Sequence, residues 1–304
     1  MSILGPFLFL LFINDLPLIT KFSVKLFAAD TFLAFEGCNL SSLQKRVNIE
    51  LKKISRWSSA NKLTLNILKS KFMLIKRSNT KTCDKFVLKF NVKKMEQCSS
   101  YKYLGVHLDQ SLNWKIHVNY LCRKLSRMCG VFSKLRHCCS KNLLKVIYYA
   151  LVESHLQYCN IVWGNASEKI LKPLKNLQSK ILKIMCFAPY QTEEENNFYT
   201  ELKLLNLDNL HKLAQAKFIY KYKNQKLPNT FENFFTASHS HHNYALRSRI
   251  TNDYQRVWGR TQYGMKKLQY AGVQLWNTIP HEIRNEISLE IFKKKYKVFL
   301  VGTS

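Results

Sequence analysis

Basic and aromatic side chains are interleaved in residues 247–263, a pattern that suits contact with a single nucleic-acid strand. The basic members are Arg247, Arg249, Arg256 and Arg260, and the aromatic members are Tyr254, Trp258 and Tyr263. Aromatic rings stack on bases, while guanidinium groups meet phosphates. We therefore predict nucleic-acid contact here. Aromatic side chains also anchor protein cores, so an ordinary core role for the same rings stays open.

Cysteine and histidine residues give less support to a metal site. The chain has nine cysteines and no Cys-x-x-Cys pair, which favours reduced, mostly buried thiols in an intracellular protein. His137 precedes Cys138 and Cys139, but adjacent cysteines rarely ligate one zinc ion and no second pair stands at a suitable distance. The histidines at 239, 241 and 242 are expected in an exposed loop. A small metalloprotein remains an alternative.

The charge of the chain is strongly positive and is spread along its length. Lysine and arginine number 48 against 19 aspartates and glutamates, a formal net charge of +29. A compact protein with this charge repels itself, so polyanions are its expected partners. The alternative is a solvated basic surface without a partner. A hydrophobic content of 46% is enough to form a core.

The elements that must position these residues change in character near Trp114. Before it, the pattern predicts a hairpin at 24–35, a helix from Leu43 to Trp57 and four short strands, at 63–65, 72–75, 86–92 and 101–108. The apolar run at 3–13 is too short for a membrane span, which needs about 20 residues. It also lacks the basic start and cleavage site of a signal peptide. We predict a buried helix there.

After Trp114 the spacing of apolar residues becomes helical. It predicts amphipathic helices at 118–135, 143–156, 170–185 and 207–218, and a last helix at 289–300 that carries several lysines. Periodicity is lost between 228 and 244, which predicts a linker. The helices by themselves fit an ordinary bundle with a hydrophobic core.

Six segments, in this order, resemble the second half of a non-LTR retrotransposon (LINE- or jockey-type) reverse transcriptase. They are residues 2–9 (SILGPFLF) closing on 13–17 (INDLP), residues 25–31 (KLFAADT), Trp57 with 61–63, 65–66 and 69–71, residues 103–106 (YLGV) with 112–114, residues 154–158 (SHLQY) with 163–164, and residues 275–280 (LWNTIP). Each segment alone is weak, but six in order cover nearly the whole chain.

The resemblance implies an α+β fold in three parts. It predicts part of an antiparallel palm sheet with helices over residues 1–114, a helical thumb-like region over 115–226 and a small basic region over 227–304. Because the family's earlier palm strand and fingers would precede residue 1, the palm sheet is expected to expose an edge and apolar surface.

The resemblance also assigns site residues. Residues 25–31 match the metal-binding hairpin, in which the family has two adjacent aspartates. Asp30 keeps one of them, as the catalytic and metal-binding residue, and Ala29 replaces the other. Lys69 is implied to approach the leaving pyrophosphate, although an ordinary surface lysine fits equally well. Asp15 does not replace the lost carboxylate, because its context predicts a capping or solvated residue.

The remaining assignments concern nucleic-acid contact. Gly5 and Pro6 match the template- and nucleotide-positioning motif, and Tyr103, Leu104 and Gly105 match the primer-grip hairpin. The implied cofactor is Mg²⁺, and the implied partners are an RNA template, a DNA primer and deoxynucleotides, with no membrane. An intracellular location, nuclear or cytoplasmic, is expected.

Two functions follow as hypotheses. The first is a fragment of an RNA-directed DNA polymerase that is inactive alone, since Ala29 and the missing earlier motif remove two of three catalytic carboxylates. The second is a non-catalytic protein, derived from it, that binds single-stranded RNA or DNA. A degenerate product that never folds stably is a third possibility.

Overall fold

A computed structural model describes residues 4–76, 86–91, 93–188, 195–237 and 254–302. The chain divides into two compact units, Met1–Leu112 and Asn113–Ser304. The first predicted boundary, after Trp114, lies close to this division. The second predicted boundary, between 226 and 227, falls inside the second unit.

The first unit combines two helices with short strands. The helices are α1 (Leu4–Ile13) and α2 (Leu40–Ala60), and a 3₁₀ turn, Leu16–Ile19, follows α1. The strands are β1 (Ser23–Phe27), β2 (Asp30–Ala34), β3 (Lys71–Phe72), β4 (Lys89–Phe90), β5 (Lys93–Lys94), β6 (Glu96–Gln97), β7 (Ser100–Tyr103) and β8 (Val106–Asp109).

These strands pair two by two. In the described residues β1–β2, β4–β5 and β7–β8 are antiparallel pairs and β3–β6 is a parallel pair. The α+β character is confirmed, whereas the single palm sheet expected from the resemblance is not formed there. One reason is that a side chain of α2 hydrogen-bonds to backbone groups near β4, and those groups are then not available to pair with a neighbouring strand. Asn48 accepts a bond from the Lys89 amide at 2.9 Å and donates one to the Val87 carbonyl at 3.3 Å.

All four short-strand predictions differ from the structure in detail. Of residues 72–75 only Phe72 belongs to a strand, β3, and among the described residues of 86–92 only Lys89 and Phe90 do, in β4. Residues 63–65 form no strand. Residues 101–108, predicted as one strand, form the β7–β8 hairpin. The chain reverses because Leu104 (φ 43°) and Gly105 (φ 84°) both occupy the left-handed region, the conformation that two-residue hairpin turns of this kind require. Glycine adopts it freely, while Leu104 does so at some cost.

Helix α2 provides most of the core of the first unit. Its apolar stripe, Leu43, Val47, Leu51 and Ile54, is buried as the spacing predicted. The Asn39 side chain caps the helix by accepting from the amides of Ser41 and Ser42.

Helix α1 forms where predicted, but the expectation that it is buried was wrong. Only Ile13 is buried, and Leu4, Phe7, Leu8, Leu10, Leu11 and Phe12 are each 45–63% exposed. The run is apolar on all sides, so packing one face against a core leaves the other faces in solvent. No helix among the described residues is long and apolar enough to cross a membrane.

The second unit is mainly helical. Its helices are α3 (Lys115–Leu135), α4 (Lys141–Tyr148), α5 (Ser154–Gln157), α6 (Asn160–Trp163), α7 (Glu168–Met185), α8 (Glu195–Leu202), α9 (Leu207–Lys223), α10 (Gln262–Met265), α11 (Val273–Thr278), α12 (His281–Arg284) and α13 (Leu289–Gly302). Two short strands, β9 (Thr236–Ala237) and β10 (Tyr254–Gln255), pair antiparallel. The turns Tyr149–Glu153 and Leu268–Gly272 are π-helical, and Asn229–Phe231 is a 3₁₀ turn.

One hydrophobic core joins these helices, except for the short α10. It includes the fully buried rings of Tyr148, Trp163 and Trp276, and Tyr220 of α9 stacks on Phe292 of α13 with centroids 4.6 Å apart. Residues on both sides of position 226 therefore share this core. The predicted helices are confirmed, with the 143–156 helix interrupted by the π-helical turn. Of the predicted linker, residues 238–244 lie outside the described residues.

Candidate functional site

The β1–β2 hairpin places Asp30 beside its tip. Phe27 pairs with Asp30, so Ala28 and Ala29 form the two-residue turn. Ala28 has φ 48°, a left-handed conformation that costs a residue with a Cβ about 1–2 kcal/mol. Ala29 and Asp30 are both exposed. The hairpin thus presents one carboxylate to solvent, next to a methyl group.

The β7–β8 hairpin brings Tyr103 to the same place. The Tyr103 and Phe32 ring centroids are 5.1 Å apart. Burial raises the pKa of Tyr103, and the nearby Asp30 carboxylate raises it further, so the phenol stays protonated at neutral pH. We call Asp30, Phe32 and Tyr103 the hairpin face. It unites residues from the two motifs that the sequence assigned to metal binding and primer contact.

Glu50 of α2 fixes the chain just before β1, and sequence reasoning missed it. Its Oε2 accepts from the Thr20 hydroxyl at 3.0 Å and the Lys21 amide at 2.8 Å, and its Oε1 accepts from Lys53 Nζ at 2.8 Å. Burial raises the pKa of Glu50, but the hydrogen bonds from Lys53, Lys21 and Thr20 outweigh burial and hold it at about 2. The residue is therefore ionised at neutral pH.

A signal for Glu50 was present in the sequence. The residue lies three positions after Val47 and four before Ile54, on the apolar stripe of α2, and it is 5% exposed. A carboxylate at a core-facing helical position needs hydrogen-bonding partners. Such a position therefore marks a structural anchor even where no motif contains it.

Asp15 is exposed, as expected of a solvated residue, and it also makes a bond that neither alternative predicted. Its side chain makes no capping bond to the following 3₁₀ turn. Instead, Asp15 Oδ2 accepts a hydrogen bond from the Trp57 indole Nε1 at 3.1 Å. This bond joins the segment after α1 to the last turn of α2.

Among the other predicted residues of the first unit, Leu104 and Gly105 form the turn next to Tyr103, while Lys69, Gly5 and Pro6 belong to other elements. Lys69 follows a turn in which its amide donates to Asn66 Oδ1 at 3.2 Å, and its side chain is exposed. Gly5 and Pro6 lie in the first turn of α1, where the missing N–H of a proline is tolerated. A Cβ added at Gly5 would meet nothing within 4 Å, so the fold itself does not require glycine there.

The described residues do not fit a two-metal centre. Such a centre needs several carboxylates that converge on both ions. No group of three or more His, Cys, Asp or Glu side chains that could hold a metal occurs in the described ranges. At the tip of the β1–β2 hairpin, the methyl group of Ala29 cannot act as a ligand. Asp30 is thus a single candidate ligand.

Sequence similarity to a curated protein supports the family resemblance that the six motifs indicated. Over 230 residues, 70% of its length, the chain is 25% identical to the RNA-directed DNA polymerase from mobile element jockey of Drosophila melanogaster. The chain has a distant relative among the reverse transcriptases. It spans 24% of the length of that curated relative. No family model matches the chain, and no solved structure matches it.

The arginine- and aromatic-rich segment is only partly within the described residues, because Arg247 and Arg249 lie outside them. Trp258 is 81% exposed and lies between the exposed Arg256 and Arg260, and Tyr263, which is 71% exposed, follows three positions after Arg260. Tyr254, by contrast, packs on Phe235 with centroids 5.4 Å apart. The pattern therefore divides into one core ring and two exposed rings.

Proposed function

We propose that this chain is part of the polymerase region of a non-LTR mobile-element reverse transcriptase, comprising the end of the palm, the thumb and a C-terminal region. The six ordered motifs and the distant similarity to the jockey polymerase support this assignment. An RNA template and a DNA primer are its proposed partners. Its proposed location is inside the cell, in the nucleus or cytoplasm.

We propose further that the chain holds nucleic acid without catalysing nucleotidyl transfer. The observation that carries this proposal is the hairpin tip, where Asp30 stands beside Ala29. Nucleotidyl transfer depends mainly on metal ions and positioning. Mg²⁺ would supply charge stabilisation to attacking and leaving oxygens, but one carboxylate does not assemble a pair of ions. The exposed cation Lys69 does not replace them.

An extension assay tests the absence of catalysis. The purified chain is given a primed RNA template, MgCl₂ and deoxynucleotides, beside an Asp30→Asn variant as the matched control. We expect no extension above the no-enzyme background from either protein. Extension by the unmodified chain that disappears in the Asp30→Asn variant would overturn the proposal, because Asp30 would then support transfer without its partner.

The exposed rings in the second unit favour single-stranded binding as the retained activity. Trp258 and Tyr263 stand in solvent with Arg256 and Arg260 beside them, an arrangement that suits stacking on bases and pairing with phosphates. Arg256 lies over the Tyr270 ring, 5.9 Å from its centroid, which gives the guanidinium a defined position.

Binding of a labelled single-stranded RNA, followed by anisotropy, tests this activity. Affinity should fall steeply with salt, since each neutralised phosphate releases counterions. Replacing both Trp258 and Tyr263 by alanine should weaken binding by roughly tenfold or more, as about 1–3 kcal/mol is lost per stacked base. Ile287→Ala, at a residue 92% exposed, is the control and should bind like the original chain. A flat salt titration would contradict the proposal.

A further inference from the structure

The π-helical turn Tyr149–Glu153 buries a carboxylate in a basic environment. Glu153 is 5% exposed, and its Oε1 accepts a hydrogen bond from Gln157 Nε2 at 2.6 Å. Its other oxygen, Oε2, makes no hydrogen bond within the described part of the chain. Burial raises the pKa of Glu153, while the lysines at 297, 293 and 145 lower it. Glu153 is therefore a buried carboxylate with one oxygen left without a hydrogen bond, and three lysines favour its ionised form.

Those lysines come together from distant parts of the sequence. Lys145 belongs to α4, Lys203 follows α8, and Lys293 and Lys297 lie one turn apart on α13. We call these four residues the lysine cluster. Lys297 Nζ is 3.0 Å from the Tyr149 hydroxyl and 4.9 Å from the centroid of its ring. Three of the four, Lys145, Lys293 and Lys297, are half-buried. The packing of their aliphatic side-chain carbons limits how far their ammonium groups can move apart.

The cluster carries more positive charge than its neighbours neutralise. Burial lowers the pKa of Lys145, and Lys297 and Lys203 lower it further. The pKa of the half-buried Lys217 is lowered by burial, then by Lys293 and Lys221. Lys293 reaches Glu290 only at 3.8 Å. The fold holds these lysine ammonium groups near one another, and an anion bound here would reduce the repulsion between them.

We propose that the lysine cluster is a phosphate-binding surface on which the second unit holds the backbone of a nucleic-acid strand. This inference rests on the proposed nucleic-acid binding and gives it a location that no sequence motif marked. A strand presents phosphates at regular spacing, so it can meet lysines of α4 and α13 together. Glu153 opposes the bound phosphates, and Tyr149 keeps the Lys297 ammonium in place.

The test compares two variants of equal charge in the full chain. One replaces Lys145, Lys293 and Lys297 by glutamine. The control replaces the exposed Lys169, Lys172 and Lys212 by glutamine. Labelled poly(U) RNA is titrated at several salt concentrations. We expect the slope of log affinity against log salt to decrease by about 2 in the cluster variant, at roughly 0.7 per lost phosphate contact. The control variant should keep the original slope.

A Glu153→Gln variant should change poly(U) binding in the opposite direction. This test does not require the triple variant to fold. Removing this negative charge should strengthen poly(U) binding at low salt by about twofold. Unchanged or weaker binding by Glu153→Gln would overturn the proposal, as would equal losses in the cluster and control variants while the unmodified chain binds. No binding by the unmodified chain would instead remove the proposed function itself. Equal competition by polyglutamate would assign the cluster to an acidic protein partner and overturn the nucleic-acid assignment.

Discussion

Glu50 connects a single carboxylate to the position of the β1–β2 hairpin. Replacing it by glutamine removes a charge-assisted bond to Lys53 and weakens the bonds from Thr20 and the Lys21 amide. We expect the free energy of unfolding at pH 7 to fall by roughly 1–3 kcal/mol. Urea denaturation measures the change, and Glu36→Gln, at an exposed glutamate, is the control. An equal effect of both substitutions would contradict the anchoring role.

The contribution of Glu50 depends on pH with a defined sign. Its pKa is about 2 in the folded chain against an ordinary 4.5, so the unfolded chain binds this proton more readily. The stabilisation is present above pH 4.5 and is lost as the pH falls from 4.5 toward 2. The stability difference between the original chain and Glu50→Gln should therefore decrease across that window, provided that both remain folded there.

Gly164 stands where the fold has no room for a side chain. A Cβ there would lie 2.5 Å from Asn160 Oδ1 and 2.7 Å from the Asn160 carbonyl oxygen, and His211 Nδ1 already bonds that Oδ1 at 2.9 Å. We expect Gly164→Ala to lower the free energy of unfolding by about 1–3 kcal/mol. The measurement is thermal or urea unfolding.

Gly130 supplies the matched control for Gly164. It lies inside α3, and a Cβ added there would meet nothing within 4 Å. Gly130→Ala should stabilise the chain by roughly 0.5–1 kcal/mol, because alanine loses less backbone entropy in a helix. If the two substitutions had the same sign, crowding beside Asn160 would not explain the requirement for glycine.

Helix α1 is the element whose exposure differs most from expectation. Replacing Leu8 and Leu11, which are 52% and 60% exposed, by glutamine should change the unfolding free energy by no more than about 0.5 kcal/mol each. Light scattering at high protein concentration should decrease, since exposed apolar surface promotes association. Ile13→Ala, at a residue 6% exposed, should cost about 2–5 kcal/mol. Large losses at all three positions would show that α1 is buried in solution.

The helices could be predicted from the sequence because their apolar residues repeat on one face, as in α2, α3, α7 and α9. The strand pairing could not. Strands of two residues, such as β3 and β4, carry no period, and their backbone partners include the Asn48 side chain. Burial of α1 was also beyond prediction, since a continuously apolar run does not specify which face packs. The turn at Leu104 and Gly105 was also not predictable, because leucine is not a residue type that favours turns and only Gly105 is.

The candidate site was predictable in part. Motifs found Asp30 and Tyr103, and the structure brings both to the hairpin face. Glu50, which anchors that hairpin, and the lysine cluster belong to no motif. Lys145 and Lys297 are 152 positions apart in the sequence, so only the packing of α13 in the second unit could bring them together.

On the scale of the whole molecule, the two units have separate hydrophobic cores. Leu51→Ala should therefore destabilise residues 1–112, and Leu174→Ala should destabilise residues 113–304, each by about 2–5 kcal/mol. Hydrogen–deuterium exchange with mass spectrometry in low urea measures both effects segment by segment. If each substitution accelerated exchange equally in both units, the chain would unfold as one cooperative unit.

In the part of the chain that the structure describes, β1 pairs only with β2, and this pairing has a mechanical consequence. A two-stranded ribbon bends more easily than a sheet in which each strand has two neighbours. The hairpin is held at its base, where Glu50 binds Thr20 and Lys21, and is supported midway along its length, where Phe32 contacts Tyr103. The amplitude of motion should therefore increase from Ser23 toward Ala28, and the position of the Asp30 carboxylate depends on a clamp and a support that both lie outside its own hairpin.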